Sequence, residues 1–301
     1  MIINTELEHK GNIFPSKIVD FKKNVDKLEF KTENGVVLQL TVVRDSVLRF
    51  RYATTGLFDK DFSYAITRHA STCYNLLEIT SDKDYYIITT SKLICHVYKE
   101  NLGVVIYDAK DGTLLSQDEA GFHWEELYEH GGNVVKMSKV SHDGESYYGL
   151  GDKPSNLNLK GRRYENWVTD SYAYTKESDP IYKAIPFYTG IHHKKAYGIF
   201  FDNTFKSFFD FAHERRNVTS FWAQGGEMNY YFIYGPKMED VVANYTDLTG
   251  KPHQMPPLWT LGFHQCKWSY YPESKVREIT SKFRELQIPC DAIYLDIDYM
   301  E

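Results

Sequence analysis

Alternating apolar and polar positions dominate the first 235 residues of the chain. Residues 28–52, LEFKTENGVVLQLTVVRDSVLRFRY, place apolar and β-branched side chains mostly at every second position, as in strands with one buried face. Asn34-Gly35 predicts a two-residue type I′ hairpin, because both positions of that turn need a positive φ. Similar short runs recur at 85–98, 103–115, 196–203, 207–211 and 229–235. Together they predict an all-β sandwich.

The periodicity changes from that of a strand to that of a helix after Gly235. Residues 236–250, PKMEDVVANYTDLTG, place Val241, Val242, Tyr245 and Leu248 on one predicted helical face, with a glycine at the C-terminal cap. A Pro-rich stretch, KPHQMPP, follows and predicts a connector.

The last part of the chain predicts a strand–helix–strand unit. Residues 259–266 and 290–298 are strand candidates, and the second has an apolar middle that predicts burial on both faces. Residues 272–287 between them have apolar side chains at spacings of three and four, which predicts an amphipathic helix. Because two parallel strands and one helix cannot cover each other's apolar faces, we expect these residues to belong to a longer chain.

Composition and charge exclude several classes of function. The 301 residues carry a formal net charge of -6 and show no basic stripe, so we expect no nucleic-acid partner. No signal peptide and no apolar stretch of membrane-spanning length is visible, which predicts a cytoplasmic protein that does not enter a membrane. The four cysteines lack metal-ligand spacing, and we expect reduced thiols.

Two acids near the end of the chain are the first candidates for chemistry. On a strand, Asp296 and Asp298 would face the same side, about 6.6 Å apart. Read from the residues alone, they are a glycosidase acid/base pair at the end of a barrel strand, an Asp-x-Asp metal site, or an acidic strand end without chemistry.

Aromatic and polar loops add further candidates. Trp268, in the stretch that follows the first strand candidate, is either a platform for a sugar ring or ordinary loop packing. His264 before it is either a ligand-facing residue or a satisfied core histidine. Asp170, near Trp167 and several tyrosines, either contacts a hydroxylated ligand or is a solvated loop residue.

Five stretches, taken in chain order, resemble glycoside hydrolase family 31, the α-glucosidase family. They are YYGLGDKPSNLNLKGRRYENWVTDSYAY (147–174), DPIYKAIPFY (179–188), AYGIFFDNTFKSFFDF (196–211), GFHQCKWSYYPESKVREI (262–279) and IPCDAIYLDIDYM (288–300). The resemblance implies a galactose-mutarotase-like β-sandwich followed by the beginning of a (β/α)8 barrel. The implied regions are 1–235 for the sandwich, 236–256 for a connecting helix and Pro-rich linker, and 257–301 for the first βαβ unit of the incomplete catalytic barrel.

The resemblance also implies roles for four residues. Asp296 matches the aspartate that binds sugar hydroxyls in subsite −1, and Ile297 lines that subsite. Asp170 matches an aspartate on a sandwich loop that reaches the pocket, and Trp268 matches an aromatic residue that shapes it. Neither Asp296 nor Asp298 matches the nucleophile or the acid/base, so no catalytic residue is assigned within the chain. Those carboxylates belong to motifs such as Trp-x-Asp-Met-Asn-Glu, which this sequence does not contain.

The function implied for the full-length protein is retaining hydrolysis of terminal α-linked glucose from oligosaccharides by double displacement. This segment would supply substrate-binding residues, with an α-glucoside oligosaccharide as partner and with no metal and no cofactor. The alternatives are a sugar-binding module without catalysis, or an α-xylosidase or α-glucosyl-transferring member of the family. A Mn²⁺-dependent glycosyltransferase would need a nucleotide-binding α/β domain before the Asp-x-Asp motif, where this chain has a β-rich region.

Overall fold

The chain forms two compact units in a computed structural model, residues 1–250 and residues 251–301. The structure describes residues 11–24, 27–67, 78–127 and 132–296. No helix within these ranges has both the length and the apolar character required to span a membrane.

The larger unit is built from antiparallel strands. In the described ranges they are β1 (Ile18–Lys23), β2 (Lys27–Thr32), β3 (Val37–Arg44), β4 (Val47–Ala53), β5 (Glu78–Ser81), β6 (Tyr85–Thr89), β7 (Leu93–Tyr98), β8 (Val104–Asp108), β9 (Leu114–Leu127), β10 (Gly132–Val140), β11 (Ser146–Gly151), β12 (Arg163–Asn166), β13 (Ala184–His192), β14 (Lys195–Phe201), β15 (Ser207–Phe211), β16 (Val218–Ala223) and β17 (Met228–Gly235).

These strands pair into two sheets. The first sheet has the order β1-β2-β3-β4-β17-β14-β13-β11, and the second has the order β12-β15-β16-β10-β9-β8-β7-β6-β5. The inward-facing side chains of both sheets form one hydrophobic core. Tyr52 of the first sheet stacks on Phe122 of the second with ring centroids 4.5 Å apart, and Phe221 meets Tyr230 edge-on at 5.5 Å. The predicted all-β sandwich is therefore confirmed.

The hairpin between β2 and β3 has a different turn from the predicted one. The amide of Thr32 donates to the carbonyl of Val36, which leaves a three-residue loop. Only Gly35 of the predicted pair has a positive φ, at 87°. A three-residue loop needs one left-handed residue, at its end, and Gly35 fills that position. Asn34 does not need a positive φ, and its Oδ1 accepts a hydrogen bond from the Thr32 hydroxyl.

Helix α1 (Met238–Thr249) covers the outer face of the first sheet. Val241 and Leu248 are buried against Ala196, Phe200 and Ile233 in a second apolar cluster. The helix and its predicted range agree, but Val242 is 46% exposed. One residue corresponds to 100° of helical rotation, so with Val241 directed at the sheet Val242 lies at the edge of the buried face.

The smaller unit is a short βαβ arrangement. It contains a 3₁₀ helix (Leu258–Leu261), β18 (His264–Cys266), α2 (Glu273–Glu285) and β19 (Ala292–Tyr294). The two strands are parallel, as predicted, although both are much shorter than their apolar runs. The expected burial of the second strand on both faces is wrong within this chain, since Tyr294 and Leu295 are about half exposed. The described part of this unit provides a single helical layer to cover them. The boundaries predicted at residues 235 and 256 stay predictions.

Candidate functional site

Asp170 lies on a closed loop of the larger unit. The loop connects β12 to β13 and spans residues 167–183. Near its base the amide of Thr169 donates to the carbonyl of Ile181 at 3.1 Å, and Ile181 is buried. At its tip the amide of Thr175 donates to the hydroxyl of Ser178 at 2.8 Å. Hydrogen bonds at the base and at the tip give the loop a fixed conformation.

An ion pair whose cation is buried anchors this loop to the sandwich. The ammonium of Lys153, whose side chain is only 3% exposed, donates to Asp179 at 2.5 Å and to the carbonyl of Glu165 at 2.6 Å. The other oxygen of Asp179 accepts the amide of Glu165 at 2.6 Å. Since each group satisfies the others, the pair fixes the loop to β12 without leaving an uncompensated charge.

The carboxylate of Asp170 lies on the exposed side of this loop, near a phenol that the sequence analysis did not single out. Tyr182 has its pKa raised, first by desolvation and then by the negative charge of Asp170. The rings of Tyr174 and Tyr182 meet edge-on, with centroids 6.1 Å apart. The loop thus presents a carboxylate that accepts hydrogen bonds beside a hydroxyl that donates one. Tyr182 belongs to DPIYKAIPFY, one of the five stretches that resemble family 31, and that resemblance is the feature of the sequence from which Tyr182 could have been predicted as a site residue.

A cavity of about 480 Å³ lies at the root of the loop. Trp167 and Val168 form part of its wall, and Asn166 contributes a buried side chain whose Oδ1 has no hydrogen-bond partner among the described residues. Asp202 also lines it, and burial raises the pKa of that carboxyl. A cavity with apolar walls and a few polar groups is typical of a small-molecule site.

In the smaller unit, the structure brings Trp268 and Asp296 to the same edge. Cys266 and Tyr294 are register partners at the ends of the two parallel strands. Trp268 and Asp296 each follow these partners by two residues, so both lie at the carboxyl-terminal edge where barrel enzymes carry their sites. The indole of Trp268 is 69% exposed. Ile297 and Asp298 lie outside the described residues.

His264 has a structural role within this unit. Its Nε2 lies 3.2 Å from the carbonyl of Trp259 and must donate to it, which leaves Nδ1 to accept from the hydroxyl of Tyr294 at 2.9 Å. Both ring nitrogens therefore join elements of the unit, as expected for a satisfied histidine. In the described ranges, no group of three or more His, Cys, Asp or Glu side chains is arranged to hold a metal ion.

Comparison with known families accounts for both units. Residues 37–210 match the glycosyl hydrolase 31 N-terminal galactose mutarotase-like domain, and residues 253–301 match the glycosyl hydrolases family 31 TIM-barrel domain. The chain belongs to glycoside hydrolase family 31. The predicted fold class, a galactose-mutarotase-like sandwich followed by the beginning of a (β/α)8 barrel, is confirmed.

Similar proteins of family 31 extend well beyond this chain. The chain is 34% identical to alpha-glucosidase 2 of Bacillus thermoamyloliquefaciens over 272 residues, which are 90% of this chain and 33% of that protein. It is 35% identical to an alpha-glucosidase of Saccharolobus solfataricus over 56% of this chain and 24% of that protein. A family 31 dextranase of Flavobacterium johnsoniae, solved with isomaltotriose, superposes with a TM-score of 0.84 at 34% identity over 96% of this chain and 35% of that one. The chain therefore spans about a third or less of these relatives.

Proposed function

We propose that this chain is the substrate-recognition part of a retaining α-glucosidase that removes terminal α-linked glucose from oligosaccharides. One observation carries the proposal: both parts of the chain match family 31 domains, and the two relatives that are 34% and 35% identical to it are alpha-glucosidases. The partner would be an α-glucoside oligosaccharide.

Asp296 and Trp268 would form the part of the site contributed by the smaller unit. In the proposal, Asp296 accepts hydrogen bonds from hydroxyls of the terminal glucose, and Ile297 lines the same subsite. The indole of Trp268 provides a flat wall, since aromatic faces pack well against the C–H face of a pyranose. Their shared position at the carboxyl-terminal edge of β18 and β19 supports this arrangement.

Asp170 would contribute from the sandwich loop. A carboxylate beside the Tyr182 hydroxyl offers both an acceptor and a donor to a substrate rich in hydroxyls. The Lys153–Asp179 anchor keeps the loop ordered before substrate arrives, so less conformational entropy is lost on binding.

Bond cleavage would need two further carboxylates. In double displacement one carboxylate attacks the anomeric carbon while the other protonates the departing oxygen, and water then releases the sugar from the covalent intermediate. Such a pair stands about 5–5.5 Å apart. We place both outside these 301 residues, so that Asp170 and Asp296 bind the sugar and do not react with it.

A substrate panel on the natural full-length protein tests the proposal. We expect the highest kcat/KM on an aryl α-glucoside relative to the matched α-xyloside and β-glucoside, with α-glucose as the first anomer seen by NMR. A preference for the α-xyloside would reassign the substrate, and β-glucose as the first anomer would exclude a retaining mechanism. Glucose binding without any hydrolysis would favour a sugar-binding module.

A further inference from the structure

A second cleft lies on the outer face of the second sheet, at β9, β10, β15 and β16. Its volume is about 310 Å³, at the small end of the range of about 300–1,000 Å³ for small-molecule sites. It shares no lining residue with the cavity at the Asp170 loop. The segment before β1 closes one side, because Ile13 exchanges two backbone hydrogen bonds with Trp124 of β9.

The floor of this cleft is polar and set by strand register. His123, Lys136 and Trp222 are consecutive cross-strand neighbours on the outward face. In the adjacent row, Ser138 faces Ser220. His123 and both serines are at least nine-tenths buried, although outward positions of an uncovered sheet are ordinarily solvated. Buried polar groups that converge on a cavity are characteristic of a binding site.

His123 presents a hydrogen-bond acceptor to the cleft. Its Nδ1 lies 3.1 Å from the carbonyl of Gly121, which can only accept, so Nδ1 carries the proton. Burial lowers the pKa of His123 to about 4, and the ring is neutral at pH 7. Its Nε2 is therefore an acceptor, with no hydrogen bond to another described residue.

The serine pair presents a donor. The two hydroxyl oxygens lie 3.1 Å apart and share one hydrogen bond. Whichever hydroxyl donates, the other keeps its own proton. Ser138 and Ser220 thus always leave one O–H and several lone pairs for a ligand.

The charges that line the cleft favour a neutral ligand. Lys136 and Arg215 are balanced by Asp210 and Glu214. Arg215 is further held by Glu119 through two contacts of 2.8 Å. An anion would find no excess of positive charge here, whereas a polyol can exchange hydrogen bonds with every one of these groups.

An aromatic ring completes the cleft. Phe14 is about half exposed and stacks on His123 with ring centroids 5.2 Å apart. Aromatic rings next to hydrogen-bonding groups suit molecules that have both an apolar C–H face and hydroxyls. We propose that this cleft is a second carbohydrate site, which binds one neutral hexose unit through His123, the Ser138–Ser220 pair and the ring of Phe14.

Ligand-observed NMR on the 301-residue chain, with methyl α-D-glucopyranoside as the probe, tests this site. We expect saturable binding that His123→Phe weakens at least fivefold, the loss of roughly one hydrogen bond of about 1 kcal/mol. Ser220→Ala should weaken it two- to fivefold while preserving the packing, and it remains informative if His123→Phe does not fold. Thermal unfolding of each variant checks the fold.

Thr80→Ala, in the exposed strand β5 at the far end of the same sheet, is the matched control and should bind the probe as the unaltered chain does. Asp170→Asn reports separately on the proposed substrate site. Binding that depends on Asp170 but not on His123 or Ser220 would overturn the second site and leave the proposed function standing. Absence of saturable binding to the unaltered chain would also overturn it. Tighter binding of glucose 6-phosphate than of the neutral glucoside would contradict the assignment of a neutral ligand.

Discussion

At the scale of single residues, Asp296 carries the most specific prediction. A hydrogen bond to a charged acceptor in a dry pocket contributes about 1.5–3 kcal/mol. Asp296→Ala in the natural full-length protein should therefore lower kcat/KM on an aryl α-glucoside at least about tenfold. Asp291→Ala is the matched control, because Asp291 precedes β19 and lies at the opposite end of the strand. Equal kinetics for the two variants would remove Asp296 from the site.

A second residue-scale prediction concerns the pH dependence of stability. Burial lowers the pKa of folded His123 to about 4, while the unfolded chain binds that proton below about pH 6.5. Between these values the unfolded state holds more protons, so stability is lost as the pH falls. Lowering the pH from 7.5 to 4.5 should reduce the free energy of unfolding of both proteins. The reduction should be about 2–3 kcal/mol smaller in His123→Phe than in the unaltered chain, because the variant lacks the titrating imidazole. Urea unfolding at both pH values measures this difference, and equal losses would contradict it.

Residue types alone separated some roles and left others open. From spacing alone, Asp296 and Asp298 fit an acid/base pair, a metal site or an acidic strand end without chemistry. The ordered family motifs are what point instead to sugar binding by Asp296. The sequence did not decide whether His264 faces a ligand or is a satisfied core histidine. Its hydrogen bond to the carbonyl of Trp259 forms because the 3₁₀ helix brings that carbonyl, five residues earlier in the chain, next to the imidazole. The site assignments of Asp170, Trp268, Asp296 and Ile297 stay predictions.

At the scale of elements, the anchor of the Asp170 loop should be costly to remove. Lys153→Met keeps the aliphatic stem but leaves Asp179 without its buried cation, which we expect to reduce the free energy of unfolding by about 2–4 kcal/mol. Limited trypsin digestion should also cut faster at Lys176 near the loop tip.

Lys183→Met provides the matched control for that anchor. Lys183 and Asp152 form an exposed pair at 3.4 Å, with side chains 63% and 43% exposed. Pairs of this kind contribute at most about 1 kcal/mol. If both variants lose the same stability in urea unfolding, the Lys153–Asp179 pair is not the anchor.

Helix α1 offers a second test at this scale. Leu248 is buried against the outer face of the first sheet, and Leu248→Ala should cost about 2–4 kcal/mol. Val242→Ala, on the half-exposed side of the same helix, should cost under about 1 kcal/mol. Chemical denaturation of the two variants compares them directly, and similar costs would mean that α1 does not pack as described.

The elements predicted best are those with a local cause. Alternation located the β-rich region, and the helical period located α1 and α2 within a few residues. The turn at Asn34-Gly35 was predicted in the right place with the wrong length, because loop length depends on the register between β2 and β3. The apolar runs around β18 and β19 predict strands that are longer than the observed ones. Hydrophobicity indicates which residues a segment can bury, but it does not determine how many of them form hydrogen bonds with a neighbouring strand.

At the scale of the whole molecule, the order of a β-rich region followed by a βαβ unit was visible in the sequence, and it matches the order of the two family 31 domains. The anchor joining Lys153 to Asp179 and the cleft around His123 were not visible. Both bring together side chains far apart in the chain, which periodicity cannot reveal. The cleft depends on register across three strands, β9, β10 and β16.

The measurement that tests the central claim most directly is the release of nitrophenol from an aryl α-glucoside by two proteins in parallel. One is the purified 301-residue chain, with its mass of 35.2 kDa verified, and the other is the natural full-length protein. We predict release by the full-length protein and none by the 301-residue chain, because in the proposed function these residues bind the sugar and do not cleave it. Robust release by the 301-residue chain would contradict this account and make its own acids, Asp296 first, the reacting groups.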